Sequence, residues 1–164
     1  MGICAQELVR WVIRPTLQRL GVTSRTAEQL LLATAAQESG LGAHLRREGQ
    51  RGMGLYQIQS LTHRHVWDDY LVHHPELAST VRGLASQHDF LNQPHAELTT
   101  NLSYATAIAW LVYARNAEFS LPEEASAEEL AALWKRFYHP RHDASAEAFC
   151  ACYQTLIALP EAAA

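Results

Sequence analysis

Two short stretches of this sequence contain the side chains best suited to chemistry. The first ends a strongly apolar run with a carboxylate and reads Ala33-Thr34-Ala35-Ala36-Gln37-Glu38-Ser39-Gly40. The second places an aromatic ring and two amides after a pair of glycines and reads Gly52-Met53-Gly54-Leu55-Tyr56-Gln57-Ile58-Gln59. If the chain is an enzyme, we expect Glu38 to donate a proton and the second stretch to position a polymer against it.

Glu38 falls in the last turn of a predicted helix over 24–38, where the helix dipole disfavours negative charge. The apolar residues before it indicate partial removal from water. Both effects favour the protonated form of a carboxyl group, and such a group can protonate a glycosidic oxygen as its bond breaks. The alternative is a structural role in which Glu38 pairs with Arg46 or Arg51.

The second stretch favours the catalytic interpretation. Gly52 and Gly54 permit backbone conformations barred to other residues and leave room for a ligand. Tyr56 offers a stacking face, and the amide of Gln57 both donates and accepts hydrogen bonds, as a sugar with hydroxyl and acetamido groups requires.

These residues resemble the motifs of a known family. Soluble lytic transglycosylases and goose-type lysozymes, within the lysozyme-like superfamily, have a Glu-Ser motif followed by a Gly-Leu-Met-Gln-Ile motif. This sequence is similar in having Glu38-Ser39-Gly40 followed by Gly54-Leu55-Tyr56-Gln57-Ile58. Asn101-Leu102 resembles their Asn-Ile/Leu motif, and Tyr138 occupies the place of the tyrosine in Ala-Tyr-Asn-Ala-Gly. The resemblance spans about residues 28–140. Tyr56 replaces the expected methionine, and Phe137-Tyr138-His139-Pro140 keeps only the tyrosine of the last motif.

The resemblance implies an all-α, lysozyme-like domain with a central buried helix and at most a minimal β element. It also implies cleavage of a peptidoglycan glycan strand between N-acetylmuramic acid and N-acetylglucosamine, with Glu38 as acid and then base. Ser39 and Gln57 would fix the acetamido group or the intermediate, and Tyr138 would lie across the cleft. Asp68, Asp69 and Glu48 are unconvincing as a second carboxylate, which favours transglycosylation through the 6-hydroxyl of the substrate.

Hydrophobic periodicity predicts helices and no strand with sustained alternation. The expected helices cover about residues 3–20, 24–38, 61–73, 75–86, 96–117, 125–137 and 144–159, within one domain over 1–164. Pro15 predicts a kink or break in the first helix. Residues 24–38 and 96–117 are apolar on more than one face, so both are predicted to lie at the centre.

Composition narrows the functional classes. The net charge is −4, but residues 1–65 carry eight arginines against four glutamates, so the basic half surrounds Glu38 and suits an anionic polymer. A single lysine and the lack of basic clusters with aromatics argue against nucleic acid. No apolar run approaches a membrane span, and residues 1–20 predict an amphipathic helix rather than a signal peptide. We therefore expect no membrane insertion, synthesis in the cytoplasm, and a phage-like protein that is virion-associated or released to the host wall.

No metal or cofactor is predicted. The nine histidines lack the spacing that places two ligands on one helix face, and the three cysteines suit small apolar fillers. Two alternatives remain open for function. One keeps the fold but changes the polymer to chitin or chitosan. The other is a non-catalytic module on a lysozyme-like scaffold, such as a virion component or a regulator of a host protein.

Overall fold

The chain, described for residues 1–158 and 162 in a computed structural model, is 65% helical and forms no sheet among those residues, so the predicted all-α class is confirmed. Short π-helical and 3₁₀ segments continue or join the α-helices. The α-helices are Ala5–Leu8, Arg14–Arg19, Arg25–Ser39, Ser60–His65, Pro75–Leu84, Asp89–Asn92, Glu97–Thr100, Leu102–Ala114, Ala127–Leu133 and Ala146–Tyr153. The π segments are Val9–Ile13, Val66–Tyr70, Trp134–Tyr138 and Gln154–Ala158, and the 3₁₀ turns are Leu71–His73 and Pro94–Ala96.

Two helices form the centre, as their apolar sequences predict. Arg25–Ser39 and Leu102–Ala114 each bury ten residues, because neither has a continuous polar face. A hydrogen bond of 2.7 Å between the hydroxyl groups of Thr34 and Tyr113 joins them inside the core. The other helices pack around this pair, so the position of both is fixed from several sides.

Both ends of the Arg25–Ser39 helix carry a residue that commonly ends helices. The side chain of Ser24 caps its start by accepting a hydrogen bond from the backbone N–H of Ala27 at 3.2 Å. Gly40 adopts φ +61° at its end, the left-handed conformation that terminates helices and that glycine adopts without strain. Glu38 is thereby held in the last helical turn, next to the loop that follows.

The 53–58 turn forms the one β element among the described residues, an isolated antiparallel bridge between Met53 and Ile58. Two backbone hydrogen bonds of 3.1 Å close it. Gly54 has φ +72°, and a Cβ atom placed there would lie 1.7 Å from the carbonyl oxygen of Leu98. The turn therefore packs backbone against backbone on the Glu97–Thr100 helix, at a position that requires glycine.

The structure departs from the predicted helices in two places. The helix predicted over 96–117 is broken at Asn101, whose side chain caps the Leu102–Ala114 helix by accepting from the N–H of Tyr104 at 3.0 Å. No helix is predicted between 86 and 96, but the structure forms the short Asp89–Asn92 helix there. The helix with Pro15 passes from π-helical to α-helical at Arg14, so the proline interrupts regular α geometry. Leu159, the predicted end of the last helix, lies outside the described residues.

Within the described part of the chain, no helix combines the length and apolarity that crossing a membrane requires.

Candidate active site

Glu38 lines a cavity of about 700 Å³ between the end of its helix, the 49–59 loop and the 137–143 segment. Its side chain is only 10% exposed, so the carboxyl group is largely removed from bulk water. The cavity is mostly polar. Its other lining residues are Gly49, Gln50, Arg51, Gly52, Gln57, Ile58, Gln59, Leu61, Thr62, His65, Val112, Arg115, Phe137, Tyr138, His139, Pro140, Arg141 and Asp143.

One oxygen of Glu38 is engaged by two nitrogen atoms. The indole Nε1–H of Trp134 donates to Oε1 at 2.9 Å. The Nδ1 atom of His139 lies 3.5 Å from the same oxygen, an ion-pair distance that is long for a hydrogen bond. The rings of Trp134 and His139 are stacked, with centroids 5.2 Å apart and an interplanar angle of 28°. Oε2 has no hydrogen-bond partner among the described residues, which leaves it as the oxygen that can face a ligand.

His139 also lies near a second carboxylate. Its Nε2 atom is 3.6 Å from Oδ1 of Asp143, which is 78% exposed. The polar contact with Glu38 raises the pKa of His139, and the negative charges of Glu38 and Asp143 act in the same direction. Burial and the nearby Arg141 oppose this rise in pKa. The site therefore contains two carboxylates on either side of one imidazole ring.

Gln57 lines the cavity, as predicted, but its amide is also used within the protein. Nε2 lies 2.8 Å from the carbonyl oxygen of Gly54, 3.1 Å from that of Leu45 and 3.3 Å from that of His44. Oε1 of Gln57 is buried without a hydrogen-bond partner. The residue has φ +48°, an uncommon conformation for a residue with a side chain. Because Oε1 is enclosed by the protein, it is not open to a ligand in this conformation.

Ser39 and Tyr56 are placed differently from the prediction. The hydroxyl of Ser39 is fully buried; it lies 2.6 Å from the carbonyl oxygen of Leu55 and accepts from the N–H of Gly42 at 2.8 Å. Tyr56 is also fully buried, and its hydroxyl lies 3.0 Å from that of Thr106. Neither side chain lines the cavity, because the turn directs both toward the core. In this structure they support the wall and present no surface to a substrate.

Tyr138 lies against the 53–58 turn and lines the cavity. Its hydroxyl donates to the carbonyl oxygen of Tyr56 at 2.7 Å. Its ring stacks on Tyr113, with centroids 5.1 Å apart and an interplanar angle of 27°. The tyrosine thus ties the Trp134–Tyr138 segment to both the turn and the central helix.

Three arginines line the cavity: Arg51, Arg115 and Arg141. Arg115 is half-buried, and burial lowers the pKa of its guanidinium group, which Asp69 partly offsets. The arginines outnumber the two cavity carboxylates, in keeping with the basic surroundings predicted for Glu38. Asp68, Asp69 and Glu48 are exposed and do not line the cavity.

The sequence does not predict Trp134, His139 and Asp143 as partners of Glu38. Trp134 is only 2% exposed. The available signal was the position of His139 directly after Tyr138, where the resembling family has asparagine.

A second cavity, of about 640 Å³, lies away from Glu38 and is mainly apolar. The N-terminal segment and the Gln154–Ala158 segment line it, together with the ion pair between Arg14 and Glu28 at 2.8 Å. It does not bring a carboxyl group together with Gln57, Tyr138 or His139.

Comparison of the chain with models of protein families, with curated protein sequences and with solved structures finds no match.

Proposed function

We propose that this protein is a glycosidase that cleaves peptidoglycan between N-acetylmuramic acid and N-acetylglucosamine, with Glu38 as its acid and base. One observation carries this proposal. A nearly buried carboxyl group, held on one oxygen by Trp134, lines a polar cavity of about 700 Å³. A cavity of this size accommodates a small chain of sugars, and a positioned carboxyl group supplies the proton that breaking a glycosidic bond requires.

In the proposed reaction, Oε2 of Glu38 gives its proton to the glycosidic oxygen. The bond between that oxygen and C1 of the sugar breaks, and its electron pair goes to the leaving oxygen. The carboxylate then takes a proton from the group that attacks C1. That group is a water molecule in hydrolysis and the 6-hydroxyl of the same sugar in transglycosylation.

The charge of the cavity favours an anionic glycan over chitin. Arg51, Arg115 and Arg141 line the wall, and Arg115 is partly removed from water. A partly buried guanidinium group interacts more strongly with a carboxylate than an exposed one does. Peptidoglycan carries carboxylates on its lactyl and peptide groups, whereas chitin is uncharged.

The decisive experiment compares Glu38→Gln with the wild-type protein on purified cell walls. We expect the wild type to release muropeptides and the variant to lose roughly 100-fold or more in rate, because the proton donor is removed. Mass spectrometry of the products separates 1,6-anhydro ends from reducing ends, and so transglycosylation from hydrolysis.

Glu48→Gln is the matched control, since Glu48 is an exposed carboxylate of the neighbouring loop that does not line the cavity. It should keep wild-type activity. Equal melting temperatures for both variants would exclude unfolding as the cause of a loss. Muropeptide release by Glu38→Gln at the wild-type rate would contradict the catalytic role and favour a non-catalytic module. Cleavage of chitin oligomers with intact walls untouched would assign the other polymer.

A further inference from the structure

His139 and Asp143 form the one arrangement in the cavity that the proposed reaction does not yet use. Oε1 of Glu38 accepts from Trp134 Nε1–H, which is a donor only, at 2.9 Å. The Nδ1 atom of His139 faces the same oxygen at 3.5 Å. A proton on Glu38 is therefore best placed on Oε2, because Oε1 already faces two donors when the imidazole is protonated at Nδ1.

His139 is itself held in place on several sides. Its ring stacks on Trp134, and its backbone N–H donates to the carbonyl oxygen of Trp134 at 2.9 Å. Its Nε2 atom lies 3.6 Å from Asp143, and its side chain is 27% exposed. A histidine fixed in this way cannot turn freely away from Glu38.

We propose that His139, oriented by Trp134 and Asp143, is a positioning residue that keeps the reacting proton of Glu38 on Oε2. As an imidazolium, His139 also stabilises the Glu38 carboxylate that remains after proton transfer. This inference rests on the proposed function. The charge on His139 interacts more strongly with the ionised carboxylate than with the neutral acid. The interaction therefore strengthens as the proton leaves, which is the condition for lowering the barrier.

The charged groups acting on His139 come from two parts of the fold. Glu38 faces it from the Arg25–Ser39 helix, and Asp143 and Arg141 face it from its own loop. The two carboxylates raise the pKa of His139 above its usual value and Arg141 lowers it. Removing either carboxylate should lower the pKa of His139, and this shift can be measured without any substrate.

The first test measures the pH dependence of muropeptide release for the full chain with His139→Gln or Asp143→Asn. We expect His139→Gln to reduce kcat roughly 10- to 100-fold, with little change in KM, because the acid is less well placed. The alkaline limb of the wild-type profile should change position in His139→Gln, because the ionisation of His139 no longer contributes to it, and should move to lower pH in Asp143→Asn. His142→Gln, at an exposed neighbouring histidine outside the cavity, should match the wild type.

The second test follows the ring proton signals of His139 by NMR during a pH titration of the wild type, Glu38→Gln and Asp143→Asn. The pKa of His139 should fall in both variants. The inference is overturned if His139 titrates identically in the wild type and Glu38→Gln, or if His139→Gln keeps the wild-type profile. If His139→Gln does not fold, Asp143→Asn still decides, since Asp143 is exposed. Wild-type protein without wall activity would contradict the proposed function, while the NMR titration would still show whether Glu38 and His139 interact.

Discussion

At the scale of single residues, Ser39 shows how a side chain can serve a site without touching its ligand. Its hydroxyl lies 2.6 Å from the carbonyl oxygen of Leu55 and accepts from the N–H of Gly42. It thereby ties the end of the Arg25–Ser39 helix to the turn that forms the opposite wall. A serine beside a candidate catalytic acid can therefore be required for the fold without touching a ligand.

We therefore predict that Ser39→Ala destabilises the fold. The change leaves a buried carbonyl oxygen and a backbone N–H without this partner, at a cost of about 1–3 kcal/mol in the free energy of unfolding. Urea denaturation measures it. Ser79→Ala, at an exposed serine of the Pro75–Leu84 helix, is the control and should change stability by less than about 0.5 kcal/mol. Equal effects of the two substitutions would show that the buried hydroxyl does not hold the turn.

The sequence indicates the surroundings of these residues only in part. The position of Glu38 in the last turn of a helix could be predicted, because local periodicity defines that helix. The turn that buries Tyr56 contains φ +48° at Gln57, a conformation that the identity of glutamine does not indicate. Trp134 and His139 contact Glu38 across about a hundred residues of chain, and no local pattern encodes such a contact.

At the scale of elements, the 53–58 turn depends on the close approach of two backbones. A Cβ atom at Gly54 would lie 1.7 Å from the carbonyl oxygen of Leu98. Gly21 offers a matched comparison, because it has a similar φ of +76° with no heavy atom within 4 Å of the added Cβ. Both positions have a left-handed backbone that strains any residue with a Cβ atom, but only Gly54 lies against another part of the chain.

Gly54→Ala should consequently be far more damaging than Gly21→Ala. We expect about 1–2 kcal/mol of destabilisation at Gly21 from the left-handed backbone alone. At Gly54 the clash with rigid backbone adds to that strain, so the total should reach about 3 kcal/mol or more, or prevent folding. Circular dichroism during urea denaturation measures the free energy of unfolding of both variants and of the wild type. Similar stabilities would mean that the turn does not pack against Leu98 as described.

Helical elements were predictable from sequence wherever one segment carries its own periodicity and caps. The Arg25–Ser39 helix begins after Ser24 and ends before Gly40, as both residues indicate. The break at Asn101 was missed because the apolar pattern continues through it. Asn101 ends one helix and caps the next, and its Nδ2 atom donates to Glu97 at 2.9 Å and to the carbonyl oxygen of Leu84 at 2.8 Å. Those partners become visible only when the chain is folded.

At the scale of the whole molecule, a buried polar network joins three separate segments. His63, on the Ser60–His65 helix, is 1% exposed. Its Nδ1 atom lies 2.8 Å from Nδ1 of His95, and its Nε2 atom lies 2.6 Å from the hydroxyl of Tyr104 on a central helix. Trp67 donates to the same hydroxyl at 2.8 Å. Only one proton fits between the two Nδ1 atoms, so the two histidines cannot both be protonated while this contact is kept.

This requirement predicts a loss of stability in acid. Burial, together with the charge of His95, lowers the pKa of His63 to about 4. The unfolded chain binds a proton at this histidine near pH 6.5, while the folded chain does so only near pH 4. The stability is therefore complete above pH 6.5 and is lost as the pH falls toward 4, by up to about 3 kcal/mol.

Urea denaturation between pH 7 and pH 4 tests the histidine network, with His63→Gln beside the wild type. Other groups also titrate in this range, so the difference between the two proteins is the relevant quantity. At pH 7 the variant should be less stable by about 1–3 kcal/mol, because hydrogen bonds of the network are lost. The deficit should shrink toward pH 4, since glutamine does not take up a proton.

His73→Gln, at an exposed histidine, is the control and should keep the pH dependence of stability that the wild type shows. A deficit for His63→Gln that stays constant with pH would show that the network does not exclude the proton.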